Sequence, residues 1–139
     1  MKSFICGATG VIGSTVAFLF GGWDDSIITL LIFMVIDYIT GLIVAGVFHK
    51  SSKTESGCLE SGACYKGLIR KGMILLFVVI GNRLDMQLGS NYVRDGVCIA
   101  FIVNEVISIT ENARLMGLPI PEVIGKALDV MNRKEDEDE

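Results

Sequence analysis

Two groups of polar side chains stand where the surrounding residues would exclude water. Asp37 is the only charge in Ile27–Phe48, a run of 22 residues built from Leu, Ile, Val, Phe and Met. A carboxylate at the centre of a bilayer costs about 2.5–3.5 kcal/mol, so it must be protonated, paired or turned toward a protein or aqueous interior. Asp37, Thr40, Gly41, Val44 and Ala45 follow at i, i+3, i+4, i+7 and i+8, one narrow stripe of small and polar residues on a helix. Asp37 could relay protons. The expected use is a seam for helix packing and oligomerisation, carried by Asp37, Thr40, Gly41 and Ala45. The second group is Asn104, Glu105, Ser108, Glu111 and Asn112, at i, i+1, i+4, i+7 and i+8, opposite Ile102, Val103, Val106, Ile107 and Ile109. Such a face either lines water, as in a pore, or bonds to a neighbouring helix.

Other chemistry finds little support. Cys6, Cys58, Cys64 and Cys98 form no CxxC pair and are accompanied by a single histidine, His49, so no metal and no cofactor are expected. Gly7-Ala8-Thr9-Gly10 lies inside an apolar stretch rather than between a strand and a helix, which disqualifies it as a nucleotide loop. Without a nucleophile–base pair or a ligand cluster, an enzyme is not expected.

The elements that carry these residues read as membrane helices. In 139 residues, 51% are hydrophobic, and the mean hydropathy is +0.56, more than a soluble domain of this size can bury. Ser3–Trp23 holds no charge over 21 residues, about 30 Å of helix at 1.5 Å per residue and enough to cross a bilayer core. Its Gly7, Gly10 and Gly13 offer a small-residue surface. The pattern predicts an all-α integral membrane protein with three to four spans, near 4–23, 27–48, 67–84 and 96–112, assembling as a homo-oligomer. The third span has a charge-free core of only 11 residues, Gly72–Asn82, and a tilted or interfacial helix is its alternative; Arg70, Lys71 and Arg83 at its ends are expected to snorkel to head groups. The fourth is amphipathic. Residues 1–112 are therefore assigned to a transmembrane domain and 113–139 to a short helix followed by a solvated, disordered acidic tail, Glu135–Glu139.

That tail supplies five of the 16 acids, so the net charge of −4 leaves a nearly neutral body with no basic footprint for nucleic acid. Of the 12 Lys and Arg, one precedes the first span, none lies in 24–26, five lie in 49–71, two in 83–94 and four in 114–134. By the positive-inside rule the N-terminus, the 49–66 loop and, with four crossings, the C-terminus face the cytoplasm. Cys58 and Cys64 would then be free thiols in a reducing compartment.

Asp37-Tyr38-Ile39-Thr40-Gly41, Gly67-Leu68-Ile69-Arg70-Lys71-Gly72, Asn82-Arg83-Leu84-Asp85, Asn104-Glu105 through Glu111-Asn112 and Gly117-Leu118-Pro119-Ile120-Pro121 occur in that order. Together they resemble the toxin-secretion/phage-lysis holin family over about residues 27–125. The resemblance implies a homo-oligomer in the bacterial cytoplasmic membrane that opens lesions and releases an endolysin or a large toxin, with no direct contact required. Two rival classes are a small proton-coupled multidrug-type transporter, which would use Asp37 but lacks an aromatic-lined cavity, and a non-conducting membrane adaptor.

Overall fold

The computed structural model describes residues 1–138, which form five α-helices: α1 (Lys2–Phe20), α2 (Asp25–Ile43), α3 (Ser61–Leu88), α4 (Val93–Leu115) and α5 (Glu122–Asp138). Helix α1 meets no charge after Lys2 and satisfies its own hydroxyls, Thr9, Ser14 and Thr15 donating to carbonyls one turn back. It ends at Gly21, whose φ of +79° is left-handed and where a Cβ would lie 2.5 Å from Asn82 Oδ1, so only glycine fits. Asp24 then opens α2 by accepting a hydrogen bond from the Ile27 N–H at 3.2 Å. A π-helical turn, Val44–Phe48, extends α2, and a polar segment leads from His49 to α3.

The core follows from helical spacing. Ile27, Leu30 and Met34 line one side of α2 and pack on Val78 of α3 and on Cys98 and Ile102 of α4. Helix α4 is the shared wall, with α2 and α3 on it along their lengths and α5 folded back over it, Met131 reaching the core. Gly81 lets α3 and α4 close, since a Cβ there would lie 3.0 Å from the Arg94 Cα. Helix α1 buries no residue and touches α3 only near its own C-terminal end. The chain exposes 9172 Å², against about 7,100 Å² for a compact soluble protein of 15.1 kDa. Much of the excess is apolar side chain on α1, α2 and α3.

Three expectations change. Among the described residues, two helices rather than three to four are long and apolar enough to cross a membrane: α1, and α2 with its π turn. Helices α3 and α4 have the length, but Lys66, Arg70, Lys71, Arg83 and Asp85 on one and Arg94, Asp95, Glu105, Glu111 and Arg114 on the other lower their apolarity. Lys71 does not snorkel outward; its side chain is 14% exposed and turned into the bundle. The acidic tail is helical as far as Asp138, because α5 docks an amphipathic face on α4 and the helix continues through the acids; Glu139 lies outside the described residues.

Candidate functional site

The apolar stripes that build the core also set where the polar side chains go. Asp37 is one turn beyond Met34 on the buried side of α2, and Glu105 is one turn beyond Ile102 on the buried side of α4. Lys71 lies two turns before Val78 on α3. The three meet. Lys71 Nζ donates to Asp37 Oδ2 at 2.8 Å and to Glu105 Oε2 at 2.7 Å, with the two carboxylates 7% and 5% exposed. Asn112, two turns after Glu105, gives its amide to Asp37 Oδ1 at 3.2 Å, to the Asp37 carbonyl at 3.3 Å and to Thr40 Oγ1 at 2.9 Å. Lys53 Nζ stands 3.9 Å from Asp37 Oδ1.

This triad can hold three helices in register. Among the described residues no three His, Cys, Asp or Glu side chains are grouped to hold a metal. Beside it opens a cavity of about 390 Å³ between α2, α3, α4 and the 49–60 segment, with Asp37, Lys71 and Glu105 in its wall. All four cysteines are unpaired, and Cys98 is fully buried.

The anticipated residues divide. Asp37, Thr40, Glu105 and Asn112 share the hydrogen-bond network, and Gly41 faces it, its Cβ position 3.8 Å from Asn112 Nδ2. Ala45 is buried in the π turn. Ser108 and Glu111 line the cavity, Ser108 half-buried beside Asp37 and Glu111 exposed; exposed Asn104 also lines it. Four of the five polar positions of α4, Asn104, Glu105, Ser108 and Glu111, thus line one cavity, and Asn112 bonds to Asp37 in its wall. Lys71 is the member that sequence reasoning missed, although two carboxylates in apolar helices require a cation and it was an available one.

A second polar cluster lies at the other end of the bundle, and sequence reasoning missed it as a unit. Arg94 is 5% exposed; its guanidinium donates to both Asp24 oxygens at 2.8 and 3.0 Å and to Asp95 at 3.1 Å, while its Nε donates to the Phe20 carbonyl. Asn82 donates to the carbonyls of Phe18 and Leu19, so α1 ends with its free acceptors satisfied by α3 and α4. Asp85 accepts from Ser90 Oγ and from the N–H groups of Val93 and Arg94, capping α4. The hydrogen bond from Arg94 holds the Asp24 carboxyl below the usual carboxylate range. Burial alone would raise Asp85, but the bonds from Ser90 and the two N–H groups outweigh it and lower it. The signal available was the Asn82…Asp85 pair beside Arg94; its partners lie some 70 residues away in the chain.

The sequence model of the bacteriophage holin family matches residues 14–133. An uncharacterised protein of Clostridium perfringens is 37% identical over 94% of this chain and 93% of its own length. One from Listeria monocytogenes is 37% identical over 91% of this chain and 86% of its own. A protein of Bacillus phage phi105 that carries the name "Probable holin" is 34% identical over 78% of this chain and 75% of its own. No solved structure matches the chain.

Proposed function

Because the chain belongs to the bacteriophage holin family, we propose that it permeabilises the bacterial cytoplasmic membrane without acting as an enzyme. Copies accumulate in the bilayer, self-associate and open lesions through which an endolysin or a large toxin leaves. The observation that carries this reading is α1: 19 apolar-rich residues of which none is fully buried against its own chain, anchored only at one end. In water that surface would be costly, at about 25 cal/mol per Å² of apolar area; lipid or another copy removes the cost.

In this reading α1 and α2 cross the membrane, and α3 and α4 accompany α2 with their charged groups turned to one another. Residues 1–112 form the membrane domain and 113–139 the remainder. The seam of Asp37, Thr40, Gly41 and Ala45 serves packing first, between α2 and α4. Among the polar residues of α4, Asn104, Ser108 and Glu111 are the ones placed to meet water in a lesion, whereas Glu105 and Asn112 are committed to the network. Helices α3 and α4 are antiparallel and joined by residues 89–92, so they enter or stay out as a pair. The N-terminus, the 49–60 segment and the C-terminus therefore share one side, the cytoplasm by the positive-inside rule.

Inducible expression in bacteria tests the function. Growth should stay normal until a threshold, after which the membrane potential collapses and a co-expressed endolysin lyses the culture. Graded toxicity with no folded enzyme escaping would favour a transporter. Sidedness has its own test. A membrane-impermeant thiol reagent should leave Cys58 and Cys64 unlabelled in intact cells until that threshold, and prompt labelling would invert the topology.

A further inference from the structure

The cavity beside the triad adjoins a second depression of different character. About 220 Å³ in volume, it is an apolar groove along α2 and α3 lined by Leu31, Met34, Val35, Ile39 and Leu68, and it shares Tyr38 and the methylene stem of Lys71 with the cavity. A cavity of mixed lining, with charged groups at its rim, and an apolar trough thus meet at a single pair of side chains. The groove spans Leu31 to Ile39, about 12 Å of helix at 1.5 Å per residue, and extends from the level of Asp37 and Lys71 into the N-terminal half of α2.

Charge selects the occupant. Lys66 and Arg70, one turn apart on α3, are exposed on the cavity wall and form no ion pair among the described residues. Lys53 faces the same space from the 49–60 segment. Four carboxylates also line it: Asp37 and Glu105 are held by Lys71, Glu60 accepts from Ser56 Oγ at 2.8 Å, and Glu111 is exposed. Lys66 and Arg70 are therefore the cations left to meet an anion, with half-exposed Lys53, 3.9 Å from Asp37, beside them. They also belong to the cation-rich 49–71 stretch, where the head groups of the cytoplasmic leaflet would lie.

We propose that this double depression is a binding site for one anionic phospholipid, its phosphate held by Lys66 and Arg70 with Lys53 beside them, and one acyl chain lying in the groove. A ligand with a charged head and an apolar tail is the one chemistry that uses both halves, and the groove leads the tail along α2 away from the cation-rich 49–71 stretch. The site rests on the membrane placement given above, but it is tested apart from it.

The full chain, purified in detergent, is titrated with dioleoyl phosphatidylglycerol, with dioleoyl phosphatidylcholine and with inorganic phosphate, and bound lipid is counted by native mass spectrometry. One phosphatidylglycerol should be retained, at least about tenfold more tightly than phosphatidylcholine, a ratio that several charge contacts supply readily. Lys66→Gln with Arg70→Gln should cut the ratio below about twofold while helix content and melting stay unchanged, since neither side chain forms an ion pair among the described residues. Ile39→Ser should weaken both lipids alike. Equal binding of the two lipids by the native chain, or a ratio untouched by the double substitution, overturns the proposal. So does displacement of phosphatidylglycerol by millimolar phosphate, which would mark an anion site with no role for the tail. Failure of the membrane placement reads differently: carbonate would strip the protein from isolated membranes.

Discussion

Lys71→Met should melt about 10–20 °C below the native protein, the largest loss expected from any single substitution in the chain. Methionine keeps the length and apolar volume of the stem but removes the ammonium that Asp37 and Glu105 share. Breaking a buried ion pair by deleting one partner costs about 3–5 kcal/mol, because the remaining charge keeps its desolvation penalty. Here two carboxylates would be left facing each other across α2 and α4, with only Asn112 and the more distant Lys53 to answer them. Adding Asp37→Asn and Glu105→Gln to Lys71→Met should restore much of the loss, since the triple variant buries no charge in the triad. Glu105→Gln alone should be mild: it leaves the Lys71–Asp37 pair in place and removes the excess negative charge of the triad. Thermal melts of the detergent-solubilised chain followed by circular dichroism measure all three. A Lys71→Met protein that melts within about 2 °C of native, less than 1 kcal/mol is worth, would show that the triad does not hold the bundle together.

The second large effect is expected at the opposite end of the bundle. Arg94→Met removes the donor to the Phe20 carbonyl and both bonds to Asp24, at a cost of about 1–3 kcal/mol for buried acceptors left unsatisfied. The loss is local in its consequence. Because this junction, Asn82 and the packing of Phe20 on the core are the holds on α1 among the described residues, amide hydrogen exchange in residues 18–24 should rise sharply while the α2–α4 core stays protected. The pH dependence follows from Asp24, whose pKa in the folded chain is lowered by Arg94. A lowered carboxyl contributes stability that is complete above its unfolded value, near 3.9, and that is lost as pH falls through the lower folded value. The native junction should therefore loosen only in acid, below the ordinary carboxylate range, and Arg94→Met should show no such acid step. Exchange in residues 18–24 that Arg94→Met leaves unchanged at neutral pH would remove this junction as the anchor of α1.

The two most apolar helices were legible from one-dimensional pattern alone. Ser3–Trp23 excludes charge and Ile27–Phe48 holds only Asp37, each over a bilayer's length, and no tertiary contact is needed to see that. The helical repeat likewise set Asp37, Thr40, Gly41 and Ala45 on one stripe, and the cost of an intramembrane carboxylate required a partner for Asp37. Repeat spacing cannot say which partner, because Lys71 and Glu105 are separated from Asp37 and from each other by long stretches of chain. At the edge of an 11-residue apolar core, Lys71 looked like a cation bound for the surface. It turns inward because α3 starts at Ser61 and packs Val78 into the core, which brings Lys71 to the level of both acids. The polar positions of α4 split for the same kind of reason: burying Cys98 and Ile102 sets the helix rotation, which turns Glu105 and Asn112 inward and leaves Asn104 and Glu111 exposed. Composition and periodicity thus determined which segments are apolar helices and which residues need partners. Tertiary packing decided who the partners are, because an ion pair depends on distances across helices that the order of residues along one helix does not encode.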